Sequence, residues 1–102
     1  MSTATNTVHN NKVGPILRTG EVAKAVAEAA ALDNPGKTIG IDDKLAYIRV
    51  QTDDEMIIRR STIEEMLGRP FQMRDLEVQL SSFAGRIETG PDHVRFYFQK
   101  HI

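Results

Sequence analysis

Residues 46–60, AYIRVQTDDEMIIRR, decide the fold class. Ala46, Ile48 and Val50 alternate with Tyr47, Arg49 and Gln51, the two-residue period of a strand with one buried face. After the acidic stretch 52–55, residues 56–60 resume as a second strand, so the segment predicts a β-hairpin. Downstream, Ser61 and Glu64 have capping-box spacing, Ile63, Met66 and Leu67 form one apolar face, and Gly68 and Pro70 stop a short helix.

Upstream, Thr19 is a candidate N-cap for a helix over 21–32, in which Val22, Ala25, Val26 and Ala29 share one narrow stripe. Asp33-Asn34-Pro35-Gly36 ends it with turn chemistry, after which Ile39 and Ile41 alternate with polar neighbours. Residues 13–17 form an apolar run whose Gly14 and Pro15 favour a sheet edge. Past Phe71, residues 73–76 fit one helical turn and Leu76, Val78 and Leu80 alternate, favouring a turn followed by a strand. Residues 86–89 and 94–99 flank Gly90-Pro91-Asp92 as a closing hairpin, with Val94, Phe96 and Phe98 on one side. The sum is a two-layer α+β domain over 12–102, antiparallel hairpins packed with two or three short helices, behind a flexible polar tail at 1–11.

Thirteen basic and fourteen acidic side chains give a net charge of −1, against the positive excess of nucleic-acid binders. No run reaches the roughly 18 apolar residues of a membrane span, and no signal peptide opens the chain, so the expected address is the cytoplasm. The 102 residues include no cysteine, which removes disulfides and thiolate chemistry. Gly36-Lys37-Thr38 imitates the end of a phosphate loop, but Ala31 stands where that loop needs glycine, and a helix precedes rather than follows it. His9, His93 and His101 have no ligand spacing. Asp42-Asp43 and Asp53-Asp54-Glu55 read as solvated loops, and no serine has a placed base. We therefore expect no catalytic residue, metal or cofactor. The run Ser81-Ser82-Phe83-Ala84-Gly85 is unusual, with Phe83 readable either as core or as a contact residue.

The blocks His9-Asn10-Asn11-Lys12-Val13-Gly14-Pro15-Ile16, Asp33-Asn34-Pro35-Gly36-Lys37, Leu67-Gly68-Arg69-Pro70-Phe71, Ser82-Phe83-Ala84-Gly85 and Arg95-Phe96-Tyr97-Phe98 resemble the effector proteins of toluene monooxygenases. The similarity extends more distantly to the regulatory components of phenol hydroxylase and soluble methane monooxygenase. Lys12 departs from the asparagine expected of the toluene branch. The resemblance implies a cofactor-free effector that docks on a diiron hydroxylase, reshapes nearby helices and couples oxygen activation to hydroxylation. It implies hydroxylase contacts at Gln79, Ser81, Ser82 and Phe83, to which we add Val8, Asn10 and Asn11 of the tail. It further implies a free monomer that competes with the system's ferredoxin for one face. Two rivals stay open on the residues alone: a small-ligand regulatory module of the same fold class, and a cofactor-free isomerase or hydrolase using Asp42, Asp43 or His93.

Overall fold

In the computed structural model, residues 11–99 are described. In chain order they form β1 (Lys12–Arg18), α1 (Glu21–Asp33), β2 (Gly40–Asp43), β3 (Tyr47–Asp53), β4 (Glu55–Arg59), α2 (Arg60–Leu67), α3 (Met73–Gln79), β5 (Leu80–Ala84), β6 (Arg86–Thr89) and β7 (His93–Tyr97). The strands pair antiparallel in two sheets, one ordered β2-β3-β1-β5 and the other β4-β7-β6. The α+β expectation holds.

Strand alternation fixes which side chains are buried, not which strand is the neighbour, and two expectations fail on that distinction. The stretch 46–60 is not a hairpin: β3 lies between β2 and β1, whereas β4 pairs with β7 in the other sheet. A single residue, Asp54, joins them at φ 71°, too short a link for the two strands to fold back on each other. Its N–H donates to the Asn11 carbonyl (3.0 Å) and its own carbonyl accepts the Phe98 N–H (2.8 Å), so the corner is tied to both chain ends of the described region. Likewise β1 is interior, flanked by β3 and β5, rather than an edge. The missing Pro15 donor is accommodated because the pairs with β3 pass from Val13–Thr52 to Ile16–Arg49, skipping Gly14 and Pro15, which pair instead with Ala84 and Phe83 of β5. Gly14 holds φ 140° and lies so close to the Val50 carbonyl that no Cβ fits.

The inner faces of both sheets meet one core: Val13, Leu17, Ile48 and Val50 from the first, Met56, Ile58, Val94 and Phe96 from the second. Helix α1 packs on it with Ala23, Ala25, Val26, Ala27, Ala29 and Ala30 all buried, a broader face than the expected stripe, because α2, β3 and β4 all touch it. Small side chains permit that many close neighbours. Thr19 does not cap this helix; Gly20 is its N-cap, and Thr19 joins the sheet by donating its N–H to Ala46 (3.1 Å). The capping box is also unrealised. Arg59 precedes α2 as N-cap without a side-chain bond, and the Glu64 carboxylate reaches forward to the Phe71 N–H (2.9 Å). Gly68 does close α2 in the left-handed region. Helical rather than strand period governs 73–79: Leu76 is buried and Val78 is 69% exposed, so α3 runs to Gln79 and the strand begins at Leu80. The β6–β7 hairpin forms as expected with Val94 and Phe96 buried, while Phe98 lies beyond the strand and is exposed.

Asp33 and Asn34, which read as a turn, form a clamp. The Asn34 amide lies against the open edge of β4, donating to the Ile57 carbonyl (2.7 Å) and the Ala30 carbonyl (2.8 Å) and accepting the Ile57 N–H (2.9 Å). The Asp33 carboxylate accepts the Arg59 N–H (2.8 Å) and the Thr62 hydroxyl (2.8 Å). Two adjacent side chains thus join α1 to β4 and α2. Replacing Asn34 by alanine strands the Ile57 N–H and carbonyl, and we expect a loss of about 2–3 kcal/mol in urea denaturation. An unchanged midpoint would show that the clamp contributes nothing.

Candidate docking surface

Among the described residues, strand β5 is the outer strand of the four-stranded sheet and pairs only with β1, so its other edge carries open backbone groups. It follows α3 without a loop: Gln79 is the last helical residue, and Leu80 donates its N–H to the Glu77 carbonyl as the chain straightens. The β1–β5 register shifts between Ile16 and Leu17, which leaves Ser81 as the extra residue of a bulge. Ser81, Ser82 and Phe83 are exposed and Gln79 is half-buried. None of these polar side chains makes a hydrogen bond among the described residues. The Phe83 ring stands 6.0 Å from that of core residue Phe96, tilted by 50°, yet is 38% exposed, so both readings of it meet: it caps the core and shows a face to solvent.

Gly85 carries the chain from β5 in one sheet to β6 in the other at φ 86°, a second one-residue corner. A Cβ there would sit 2.6 Å from Val13 Cγ1 and 2.7 Å from the Tyr97 carbonyl oxygen.

The structure does not gather all the expected contact residues. Asn11 lies at the Asp54 corner, its amide donating to the Asp54 carboxylate. It is five residues along β1 from Ile16, the partner of Ser82, or roughly 16 Å. Val8 and Asn10 lie outside the described residues. Sequence reasoning missed Ile16 and Arg49, which fall in one row with Ser82 across three strands. The alternation in 46–51 had put Arg49 on the outer face, but only the strand order shows that Ser82 shares it.

The residues of the rival readings are scattered. Asp42 pairs with Lys44 (3.4 Å), Asp43 ends β2, and His93 starts β7 beside Gly90. Among the described residues no three His, Cys, Asp or Glu side chains group as metal ligands, and no helix is long and apolar enough to cross a membrane. Gly36-Lys37-Thr38 leads into a strand, and Lys37 Nζ is occupied by the Asp53 carbonyl (2.6 Å). On the three-stranded sheet, Arg95 hydrogen-bonds Glu55, approaches Glu88 (3.4 Å) and stacks 4.1 Å over the Tyr97 ring. The Glu55 hydrogen bond is the main cause holding its pKa above the usual value. Arg86, opposite Tyr97 on the same face, has no carboxylate partner among the described residues.

Residues 11–97 match the MmoB/DmpM family. The chain is 38% identical over 100 residues to the effector subunit of the alkene monooxygenase system of Xanthobacter autotrophicus, covering 97% of this chain and 99% of that one. It is 31% identical over 70 residues to the stimulatory component DmpM of a Pseudomonas phenol 2-monooxygenase, covering 69% and 76%. Among solved structures, the complex of phenol hydroxylase with its regulatory protein contains a similar chain at TM-score 0.74 and 27% identity, covering 86% of this chain and 99% of that one. Soluble methane monooxygenase regulatory protein B shares the fold at TM-score 0.65 and 23% identity, covering 89% and 67%.

The Gly85 corner sets where β5 ends, so its geometry can be tested directly. Gly85→Ala combines left-handed strain with contacts to Val13 and the Tyr97 carbonyl, and we expect about 2–4 kcal/mol of destabilisation by chemical denaturation. A loss below about 0.5 kcal/mol would mean that the corner relaxes freely.

Proposed function

The chain belongs to the MmoB/DmpM family, and on that premise we propose that it is the effector of a multicomponent monooxygenase, binding its diiron hydroxylase and coupling oxygen activation to substrate hydroxylation. The observation that carries this reading is the near end-to-end similarity to an alkene monooxygenase effector subunit. The relatives are named effector, stimulatory and regulatory components, which supports a non-catalytic role for this chain. A protein without a reactive group alters a partner's reaction by binding its states unequally, so the mechanism is an interface that favours the productive hydroxylase conformation.

Toluene or a related aromatic hydrocarbon is the proposed substrate class of the parent enzyme, resting on the five sequence blocks given above. Gln79, Ser81, Ser82 and Phe83 are the proposed contacts at the centre of the interface. Phe83 supplies an aromatic face already held by the core, and the serines leave room for close backbone approach with unspent hydroxyls. The open edge of β5 adds backbone donors and acceptors. Val8, Asn10 and Asn11 belong to the same proposal as a segment that contacts the hydroxylase on docking. The free chain is proposed to be a cytoplasmic monomer, and a ferredoxin that delivers electrons to the same hydroxylase competes for the same face.

Titration of this chain into a reconstituted toluene hydroxylase system is expected to raise product formed per NADH up to about one equivalent per active site. Excess chain then slows turnover as it excludes the ferredoxin. No change at any ratio, with the other components active on their own effector, would contradict the reading. Phe83→Ala should raise the concentration needed for half-maximal coupling by roughly tenfold, the size expected of a central aromatic contact. An unchanged titration with Phe83→Ala, Ser81→Ala and Ser82→Ala combined would remove β5 from the interface.

A further inference from the structure

The outer face of the four-stranded sheet holds a hollow beside Ser82. Register sets Asp42, Arg49, Ile16 and Ser82 in one row across β2, β3, β1 and β5, and residues directly opposite in antiparallel strands share a face. In the next row, beside Gln51, Gly14 and Ala84 carry at most a methyl group. The missing side chains leave a hollow of about 240 Å³, walled by Lys12, Ile16, Arg49, Gln51 and Phe83.

Arg49 is the unusual member of this face. It is half-buried, its Nε has almost no contact with solvent, and that Nε donates to no acceptor among the described residues. Its guanidinium forms no hydrogen bond or ion pair among the described residues. Asp42, its partner across the strands, pairs with Lys44 instead (3.4 Å). Of the other seven arginines, four sit on carboxylates, Arg59 on Asp33, Arg60 on Asp92, Arg69 on Glu21 and Arg95 on Glu55, and Arg18, Arg74 and Arg86, which have none among the described residues, are exposed, whereas Arg49 is half-buried. A shielded N–H without an acceptor is rare in folded proteins, and an acceptor from outside the described residues would satisfy it. A guanidinium recognises a carboxylate through two parallel N–H donors.

We infer that Arg49 is the receptor for an aspartate or glutamate side chain of the hydroxylase, seated in the hollow between Ile16 and Gln51. The inference rests on the effector reading above. One observation favours a protein carboxylate over a free acid. Two strand spacings, roughly 10 Å, separate Arg49 from Ser82, so a surface covering the β5 edge also covers Arg49.

The test measures hydroxylase affinity by fluorescence anisotropy for the wild-type chain and for Arg49→Gln, Arg49→Lys and Arg69→Gln, together with each folding midpoint. Arg69, paired with Glu21 away from this face, controls for the loss of one positive charge. Arg49→Gln is expected to bind roughly thirtyfold more weakly or worse, with a shallower salt dependence and an unchanged folding midpoint. Arg49→Lys should recover part of the loss, and Arg69→Gln should stay within about twofold of wild type. Arg49→Gln binding within twofold of wild type overturns the inference and leaves the effector reading standing. A loss that follows the fraction of unfolded chain overturns it too, by making Arg49 structural. Binding of benzoate or acetate at the hollow by the isolated chain, with hydroxylase affinity insensitive to Arg49, would assign the site to a small acid. Failure of the wild-type chain to bind or stimulate any hydroxylase removes the effector reading, and this inference with it.

Discussion

Two antiparallel sheets share one core here because the chain passes between them in a single residue, twice. Asp54 carries β3 into β4 and Gly85 carries β5 into β6, both with positive φ. At the first corner the backbone groups find partners at once, and at the second the lack of a side chain lets the chain pack closely. Asp54 bonds to Asn11 and Phe98, and Gly85 fits against Val13 and the Tyr97 carbonyl. Both corners therefore converge on the start of β1 and the end of β7. That convergence explains why a strand containing Gly14 and Pro15 is interior: β1 is the element around which the two sheets are joined, and only glycine fits beneath the Val50 carbonyl.

The same arrangement separates stability from recognition. Hydrophobic burial and the Asp33–Asn34 clamp hold α1 to β4 and α2 on one side of the molecule. On the three-stranded sheet Arg95 is paired internally with Glu55 and Glu88, while the exposed Arg86 is not paired among the described residues. The β5 edge and the outer face around Arg49 hold what the fold leaves unused: serine hydroxyls, an aromatic face, strand-edge backbone groups and a guanidinium without a carboxylate. Polar groups left unsatisfied by the fold are the ones a partner can satisfy at little cost to stability.

Much of this was legible in the chain. The period of 46–51 correctly named Ile48 and Val50 as core, and Val94 and Phe96 were equally readable. Local patterns report burial and propensity but not pairing, so the sheet to which β4 belongs, and the interior place of β1, were invisible before strand order was known. Asp33 and Asn34 illustrate the same limit: their turn chemistry was read correctly, but their bonds to Ile57, Arg59 and Thr62 span more than twenty residues. Ser61 failed as a cap because α2 already begins at Arg60, with Arg59 as its N-cap, and Glu64 accepts the Phe71 N–H instead. The unusual run 81–85 stood out by composition, whereas the bulge at Ser81 and the row linking Ser82 to Arg49 exist only in three dimensions.

The proposed hydroxylase-binding face is built from β5 and the adjoining surface of β1 and β3. Amide hydrogen exchange on the chain alone and with one equivalent of hydroxylase tests it most directly, because edge-strand amides exchange readily until a partner covers them. The account predicts new protection over residues 80–84 and in β3 around Arg49, with rates along the β6–β7 hairpin turn unchanged. Protection confined to the three-stranded sheet, with residues 80–84 exchanging as they do in the free chain, would contradict it.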